Sequence, residues 1–414
     1  MKTLQQHQNQ HSASRPSSTG CHERLKYKRS FRMVANYFIR GGTVAGTGSL
    51  SENRGLFIRD GKIYTAPPRP DGEQKIIDAG GMIIAPGFID LHAHGGNGAD
   101  VLDGLPEALT KIASFHARHG TTGMLPTIAA APWKQMLGAL RTAGEAAVHP
   151  IIGGARILGV HLEGPFLNPA RKGAQNKDYL LRPNLAEMKA LADAAGGQLR
   201  MVTLAPELPG AIEVVRWLAD NGVIPAAGHT NATFAQMMEA VEAGLKHVTH
   251  IFNAMAPLHH REPGPAGAAL ACPDLSIEAI GDGAHIHPAL LKLLDRLKGE
   301  NRMALVTDAV RATGKGNGTF QFAGQTITVQ NGRARLPDGT LAGSTLTMLQ
   351  GVKNLVKLSG LTLPQAVRLA SANPAAILGL GRRKGKIASG YDADLLLLDQ
   401  NLELKMVMVE GSIV

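Results

Sequence analysis

The fold class this sequence predicts is a TIM-like (β/α)8 barrel with a small β domain built from both chain ends. Three observations carry that expectation. Eight strand-like apolar runs recur through the interior, most of them separated by helix-length segments. Both ends of the chain read instead as short alternating strands broken by turns. Residues of metal-ligand type stand at the carboxyl ends of the interior runs, where a barrel gathers its active site.

Residues 1–33 are polar, rich in Gln, Ser and Arg, and without periodicity, so a disordered extension is expected there. The formal charge of +10 suggests nucleic acid at first sight, but it is concentrated in this tail. Seven basic residues against the single acid Glu23 put +6 within residues 1–32, which leaves a mild excess for the rest. Tyr27 and Phe31 are too few aromatics for a base-stacking platform, so no nucleic-acid partner is expected. No apolar run reaches the roughly 18 residues needed to span a bilayer, and no membrane partner is expected either. Only Cys21 and Cys272 are present, so no structural disulfide is expected, which fits a reducing cytoplasm.

The small β domain is expected over residues 34–85 together with 386–414. Its first part runs Y-F-I-R-G-G-T-V, then G-L-F-I-R-D-G-K-I-Y, where Asp60-Gly61 between alternating runs signals a hairpin. Its last part runs K-I-A-S-G-Y-D-A-D-L-L-L-L-D, then L-K-M-V-M-V-E-G-S-I-V. The barrel is expected over residues 86–385. Its strand-like runs are Ile83–Leu91, Thr121–Ile128, Ile157–His161, Leu199–Leu204, Val223–Ala227, His247–Phe252, Leu275–Ile280 and Met303–Thr307. Helix-length segments between them include Leu105–His119, Trp133–Ala147, Glu207–Asn221 and Ala232–Ala243. A Rossmann-type sheet is the alternative, but no G-x-G-x-x-G follows a strand at a helix start. Residues 319–336 read as an inserted β excursion, after which Leu346–Leu358 resumes helix.

The first run ends D-L-H-A-H-G-G, and residues i and i+2 of an extended segment share a side, so His92 and His94 aim at one point. Further runs end at Glu163, His229, His250 and Asp308. Any one of these is more often a capping or loop residue. Six at strand ends together point to a divalent metal held by imidazole and carboxylate. Hydrolysis at a carbonyl carbon is the chemistry such a site suggests, with Asp308 as the carboxylate that moves the proton.

These residues resemble the amidohydrolase superfamily, whose closing motif is also here as G-K-I-A-S-G-Y-D-A-D-L-L-L-L-D. More narrowly, H-L-E-G-P-F, G-H-T-N-A, H-I-F-N-A-M, H-H-R-E-P-G, D-G-A-H, T-D-A and L-A-G-S resemble the N-acetylglucosamine-6-phosphate deacetylases over about residues 34–414. The resemblance implies a metal-dependent hydrolase that removes acetate from a phosphorylated amino sugar. It implies one or two divalent cations per chain, zinc or iron, with Glu163, His229 and His250 on the main ion. The intact His92–His94 pair, with Glu163 and Asp308, implies a second. It implies Asp308 as general base and acid, and Asn253, Ala254 and His285 as substrate contacts. Arg261 is implied to reach the sugar phosphate from the other subunit of a homodimer, a task guanidinium suits through bidentate contacts. Leu341, Ala342 and Gly343 are implied to form the loop that closes over the substrate. His259, His260 and Lys172 are read as solvated loop residues.

One departure stands at R-K-G-A-Q-N. The family's best-known pattern carries His after the Ala; here Gln175 follows Ala174, and an amide donates a hydrogen bond but cannot become charged. Ala174 and Gln175 are expected near the substrate hydroxyls. That leaves the sugar epimer open, with N-acetylgalactosamine 6-phosphate as the runner-up.

Overall fold

The computed structural model describes residues 35–46, 48–66, 74–298 and 301–414; the expected tail, with Cys21, lies outside the described residues. Eight parallel strands form the interior: β1 (Phe88–Ala93), β2 (Thr121–Ala129), β3 (Val160–Glu163), β4 (Leu199–Leu204), β5 (Ile224–Ala227), β6 (His247–Val248), β7 (Ser276–Ile280) and β8 (Met303–Val306). Each pairs in parallel with the next, from β1 through β8. The ring closes through a parallel bridge from Ala93 to Ala309 and the bond from Asp308 N–H to the His92 carbonyl, 2.8 Å.

A helix follows each strand: α1 (Pro106–Ala117), α2 (Trp133–Val148), α3 (Leu185–Ala194), α4 (Ala211–Asp220), α5 (Phe234–Glu242), α6 (Gly264–Ala271), α7 (Pro288–Lys298) and α8 (Met348–Lys357). Local chemistry sets several of their ends. Thr233 and Gln236 close a capping box at the start of α5, so it begins two residues later than the apolar pattern suggests. Asn184 caps α3 and Thr347 caps α8. The strands are buried almost throughout, and barrel-interior residues such as Ile89, Leu91, Leu125, Met201 and Val306 form a core of their own.

Three strand expectations are corrected. The run Ile83–Leu91 is two strands: Ile83–Pro86 belongs to the small β domain, and β1 starts at Phe88. Gly87 divides them, since a Cβ there would lie 2.2 Å from Thr122 Oγ1, and its N–H goes to the Asp394 carbonyl. The third run starts late because Gly159, at φ 139°, interrupts it. The sixth keeps only two ladder residues before left-handed backbone at His250 and Phe252 ends it.

The small β domain is built from both chain ends. Strand 395–398 pairs antiparallel with 83–86 and with 404–409, and 83–86 pairs parallel with 43–45. A second sheet holds 36–40, 56–59, 62–64 and 74–78. Asp60 and Gly61 turn its hairpin with φ of 50° and 71°, the left-handed pair that a type I′ turn demands. Ile39, Ile58, Ile84, Leu395 and Met408 share one apolar cluster, so neither end can bury its face without the other. Between β8 and α8, three antiparallel strands (318–322, 325–330, 333–335) realise the expected excursion, with Asn331-Gly332 at its second turn.

Candidate metal centre and active site

At the carboxyl rim of the barrel, His92 and His94 project from β1 and Glu163 ends β3. His229, His250 and Asp308 each stand two residues beyond the last ladder residue of β5, β6 and β8. All three have left-handed backbone, φ 49°, 25° and 49°, which bends the chain over the rim at the residue itself. Glu163 Oε1 lies 3.1 Å from His229 Nε2 and 3.0 Å from His250 Nε2, and the two nitrogens are 3.2 Å apart. Ligands about 2.0–2.1 Å from one ion sit roughly 2.9–3.4 Å from each other, so this triangle has the size of a coordination face. Beside it, His92 Nε2 and His94 Nε2 are 3.2 Å apart; His94 Nε2 lies 3.4 Å from Glu163 Oε2 and 3.3 Å from Asp308 Oδ1. Glu163 thus borders two donor sets, with Oε1 also 3.5 Å from His92 Nε2.

Three of the four imidazoles, those of His92, His94 and His229, are aimed by what their other nitrogen touches. His94 Nδ1 donates to the Thr127 carbonyl (3.1 Å) and His229 Nδ1 to the Arg171 carbonyl (3.0 Å). A carbonyl only accepts, so Nδ1 carries the hydrogen and Nε2 turns its lone pair into the site. His92 Nδ1 faces the Glu278 carboxylate at 3.0 Å, with the same result. Lone pairs of several nitrogens converging within 3.2 Å repel one another unless a cation lies between them; the donors fit a divalent metal.

The electrostatics agree. Burial pushes the Glu163 and Asp308 carboxyls up, but the surrounding imidazoles hold Glu163 well below, and Asp308 below, the usual carboxylate range. Burial pushes His92 and His94 down, yet the carboxylates win and raise them to about 9 and about 10. The rim is a place that asks for positive charge.

Above the donors opens a cavity of about 230 Å³. His94, Glu163, His229, His250 and Asp308 form part of its lining, with Gly173, Phe322 and Thr340 around them.

A family model described as the amidohydrolase family matches residues 83–414. The chain is 37% identical over 386 residues to the N-acetylglucosamine-6-phosphate deacetylase of Bacillus subtilis, covering 92% of this chain and 98% of that one. It is 36% identical to the N-acetylgalactosamine-6-phosphate deacetylase of Escherichia coli O157:H7, covering 86% and 94%. Among solved structures, a mutant of the Mycobacterium smegmatis N-acetyl-D-glucosamine-6-phosphate deacetylase, in complex with N-acetyl-D-glucosamine-6-phosphate, superposes with TM-score 0.85 at 33% identity, covering 92% and 99%. The chain belongs to the amidohydrolase family.

Most of the substrate contacts expected in this amidohydrolase come together. Ala174, Gln175, Asn253, Ala254, His285, Leu341 and Gly343 all line the cavity. Ala342 does not: it is buried, and its N–H bonds the Ala334 carbonyl behind the wall. Arg261 does not either; it stands exposed on the loop after His259 and His260, its Nη1 3.0 Å from His260 Nε2. Gln175 lines the cavity but is engaged below it. Its Nε2 donates to Glu163 Oε2 and its Oε1 accepts from Ala130 N–H at 3.0 Å, so its amide is fixed to the metal-site carboxylate. His285 is held by Asp282, Nδ1 to Oδ2 at 2.7 Å.

Sequence reasoning missed several neighbours. Phe322, from the excursion, meets His94 edge-on with ring centroids 5.1 Å apart. Gln325 of the same excursion donates to the Ala174 carbonyl at 2.6 Å, tying that hairpin to the loop after β3. Glu278 and His161 lie buried beneath the donors. For Glu278 a signal existed: a carboxylate in the middle of the apolar run L-S-I-E-A-I is costly to bury without a partner.

Proposed function

We propose that the protein hydrolyses N-acetylglucosamine 6-phosphate to glucosamine 6-phosphate and acetate, with a divalent cation as cofactor. The observation that carries this is the Glu163–His229–His250 triangle beside Asp308, under a cavity lined by the residues that the family resemblance assigns to substrate. Bound by those three residues, zinc or iron would polarise the amide carbonyl and lower the pKa of a water toward about 7. His92 and His94, with Glu163 and Asp308, would hold a second ion. Asp308 takes a proton from the attacking water and hands it to the nitrogen as the C–N bond breaks, so the amine leaves neutral. His285 and Asn253 bind the sugar end. Arg261 reaches the phosphate of a substrate bound in a second copy of the chain, which makes the active unit a homodimer; its exposed position outside its own cavity supports this.

Among the described residues no helix is long and apolar enough to cross a membrane, and Cys272 is free and buried. We place the enzyme in the cytoplasm, where amino-sugar phosphates occur and thiols stay reduced. The epimer is read as gluco. The galacto reading began from Gln175, and that amide is occupied by Glu163 and Ala130 rather than free for a sugar hydroxyl. Acetate release from the two epimeric sugar phosphates, with metal content measured on the same sample, tests the proposal. Faster turnover of the gluco epimer by metal-loaded protein is expected. No acetate from either epimer would refute it.

A further inference from the structure

Beneath the rim, Glu278 is a fully buried carboxylate in the middle of β7, with a histidine on each oxygen. Its Oε2 lies 3.0 Å from His92 Nδ1, its Oε1 lies 3.1 Å from His247 Nε2, and His247 Nδ1 meets Ser276 Oγ at 2.6 Å. If its task were only to pair with His247, contact with His92 would be unnecessary. It is that second contact which has a consequence at the rim.

We propose that Glu278 is a positioning residue that makes His92 a ligand of the second divalent ion; the inference rests on the two-ion reading given above. A carboxylate accepting from Nδ1 obliges Nε2 to present its lone pair, and Nε2 is the atom that faces the second donor set, 3.2 Å from His94 Nε2 and 3.6 Å from Asp308 Oδ1. His94 and His229 are oriented by neutral backbone carbonyls, whereas His92 is backed by a full negative charge. That charge makes the imidazole a stronger donor and adds a third carboxylate, behind Glu163 and Asp308, to balance two dications. The first ion depends on it less. His250 N–H reaches Glu278 Oε2 at 3.3 Å, an acceptor that the amide oxygen of Gln retains, and the next residue is held by Ile251 N–H to the Glu278 carbonyl, 2.9 Å, which survives any change of the side chain.

The test is zinc binding by the full-length protein, followed by zinc content and by competition with a chromophoric chelator, alongside thermal unfolding. The wild type is expected to hold two zinc ions of unequal affinity. Glu278→Gln keeps the shape and removes the charge. It is expected to bind the tighter ion as the wild type does and the weaker one about 10–100-fold less well. Where Glu278→Gln fails to fold, Glu278→Asp serves, because the shorter side chain keeps the charge but withdraws it from His92; the same selective loss is expected. Two ions bound at wild-type affinities by the folded variant would overturn the inference, and so would equal weakening of both, the mark of a general structural role. A wild type that binds one zinc ion would instead defeat the two-ion reading itself, before any variant is compared.

Discussion

Replacing Gln175 by Leu would separate the metal-site role of this residue from a sugar-reading role. The side chain is 2% exposed and has two partners, and Leu fills similar volume while serving neither. The Ala130 N–H loses its acceptor whatever else is bound, and an orphaned buried donor costs roughly 1–3 kcal/mol, which appears as lower fold stability. Glu163 Oε2 loses a charge-assisted donor worth roughly 1.5–3 kcal/mol. Because Glu163 is in the donor set, that part appears as weaker ion binding, about 10–150-fold at 1.4 kcal/mol per decade. The assays are chelator competition for the tighter ion and thermal unfolding of the metal-free protein. Wild-type affinity together with an unchanged unfolding midpoint would refute the reasoning. The ratio of kcat/KM between the gluco and galacto epimers should stay where the wild type has it. A shifted ratio would mean that Gln175 does read the sugar.

Three further outcomes are expected. Asp308→Asn should keep its fold and the tighter ion but lose about 10²-fold or more in kcat, since no other carboxylate that lines the cavity is free of the tight donor triangle; near-normal turnover of a metal-replete sample would remove it from the proton path. Arg261→Ala should raise KM for the phosphorylated sugar by about 30–150-fold, from roughly 2–3 kcal/mol of lost phosphate contact, with much less effect on unphosphorylated N-acetylglucosamine; sedimentation at assay concentration should show the active species to be a dimer. His116 is buried, and burial pushes it down to about 4 from an ordinary value near 6.5, so the unfolded chain binds its proton first as pH falls. Stability is therefore full above the unfolded pKa and declines as pH falls below about 6.5, by roughly 2 kcal/mol at pH 5 from this group. His116→Gln, which retains a donor for the Gly95 carbonyl, should lose less stability between pH 8 and pH 5 than the wild type in denaturant titrations; equal losses would discount the group.

The barrel was legible because strand and helix periodicities alternate from β1 to β8, and the rim donors because each falls just past an apolar run. What stayed hidden depends on where side chains go after the backbone has closed. In K-H-V-T-H-I-F the two histidines are three apart, and both precede apolar residues. The structure sends His247 into the barrel beside Ser276 and Glu278 and lifts His250 to the rim, a split made by left-handed backbone at His250 that no periodicity reports. Gly87 divides one apolar run between two sheets because Thr122, thirty-five residues away, leaves no room for a Cβ. The neighbours of Gln175 are fixed by a register between strand ends, so its amide looked available for substrate when it was already engaged. Phe322 reaches the cavity from an excursion whose sequence speaks only of hairpins.

The left-handed residues also bear on how the site is kept in shape. Non-glycine residues in this region are disfavoured by roughly 1–2 kcal/mol each, so His229, His250 and Asp308 together hold about 3–6 kcal/mol of strain. That is a large share of the roughly 5–15 kcal/mol by which a domain is ordinarily stable. Glycine would relieve it but would remove the donor, so the offset has to come from the immediate surroundings. It does at all three places. Asn168 N–H bonds the His229 carbonyl at 3.0 Å, and Glu207 grips the next two residues through Thr230 Oγ1 (2.5 Å) and Asn231 N–H (2.6 Å). His250 is bracketed by Ile251 N–H to Glu278 and by Asn253 N–H returning to its own carbonyl. Asp308 is stitched on both sides, its N–H to the His92 carbonyl at 2.8 Å and its carbonyl from Ser344 N–H at 2.7 Å. The bond to His92 also helps close the barrel, so a bond that completes the ring is one that holds Asp308 in its strained turn. Loosening that seam would therefore disturb the proposed proton carrier before it disturbed the Glu163–His229–His250 triangle, which is anchored on other strands.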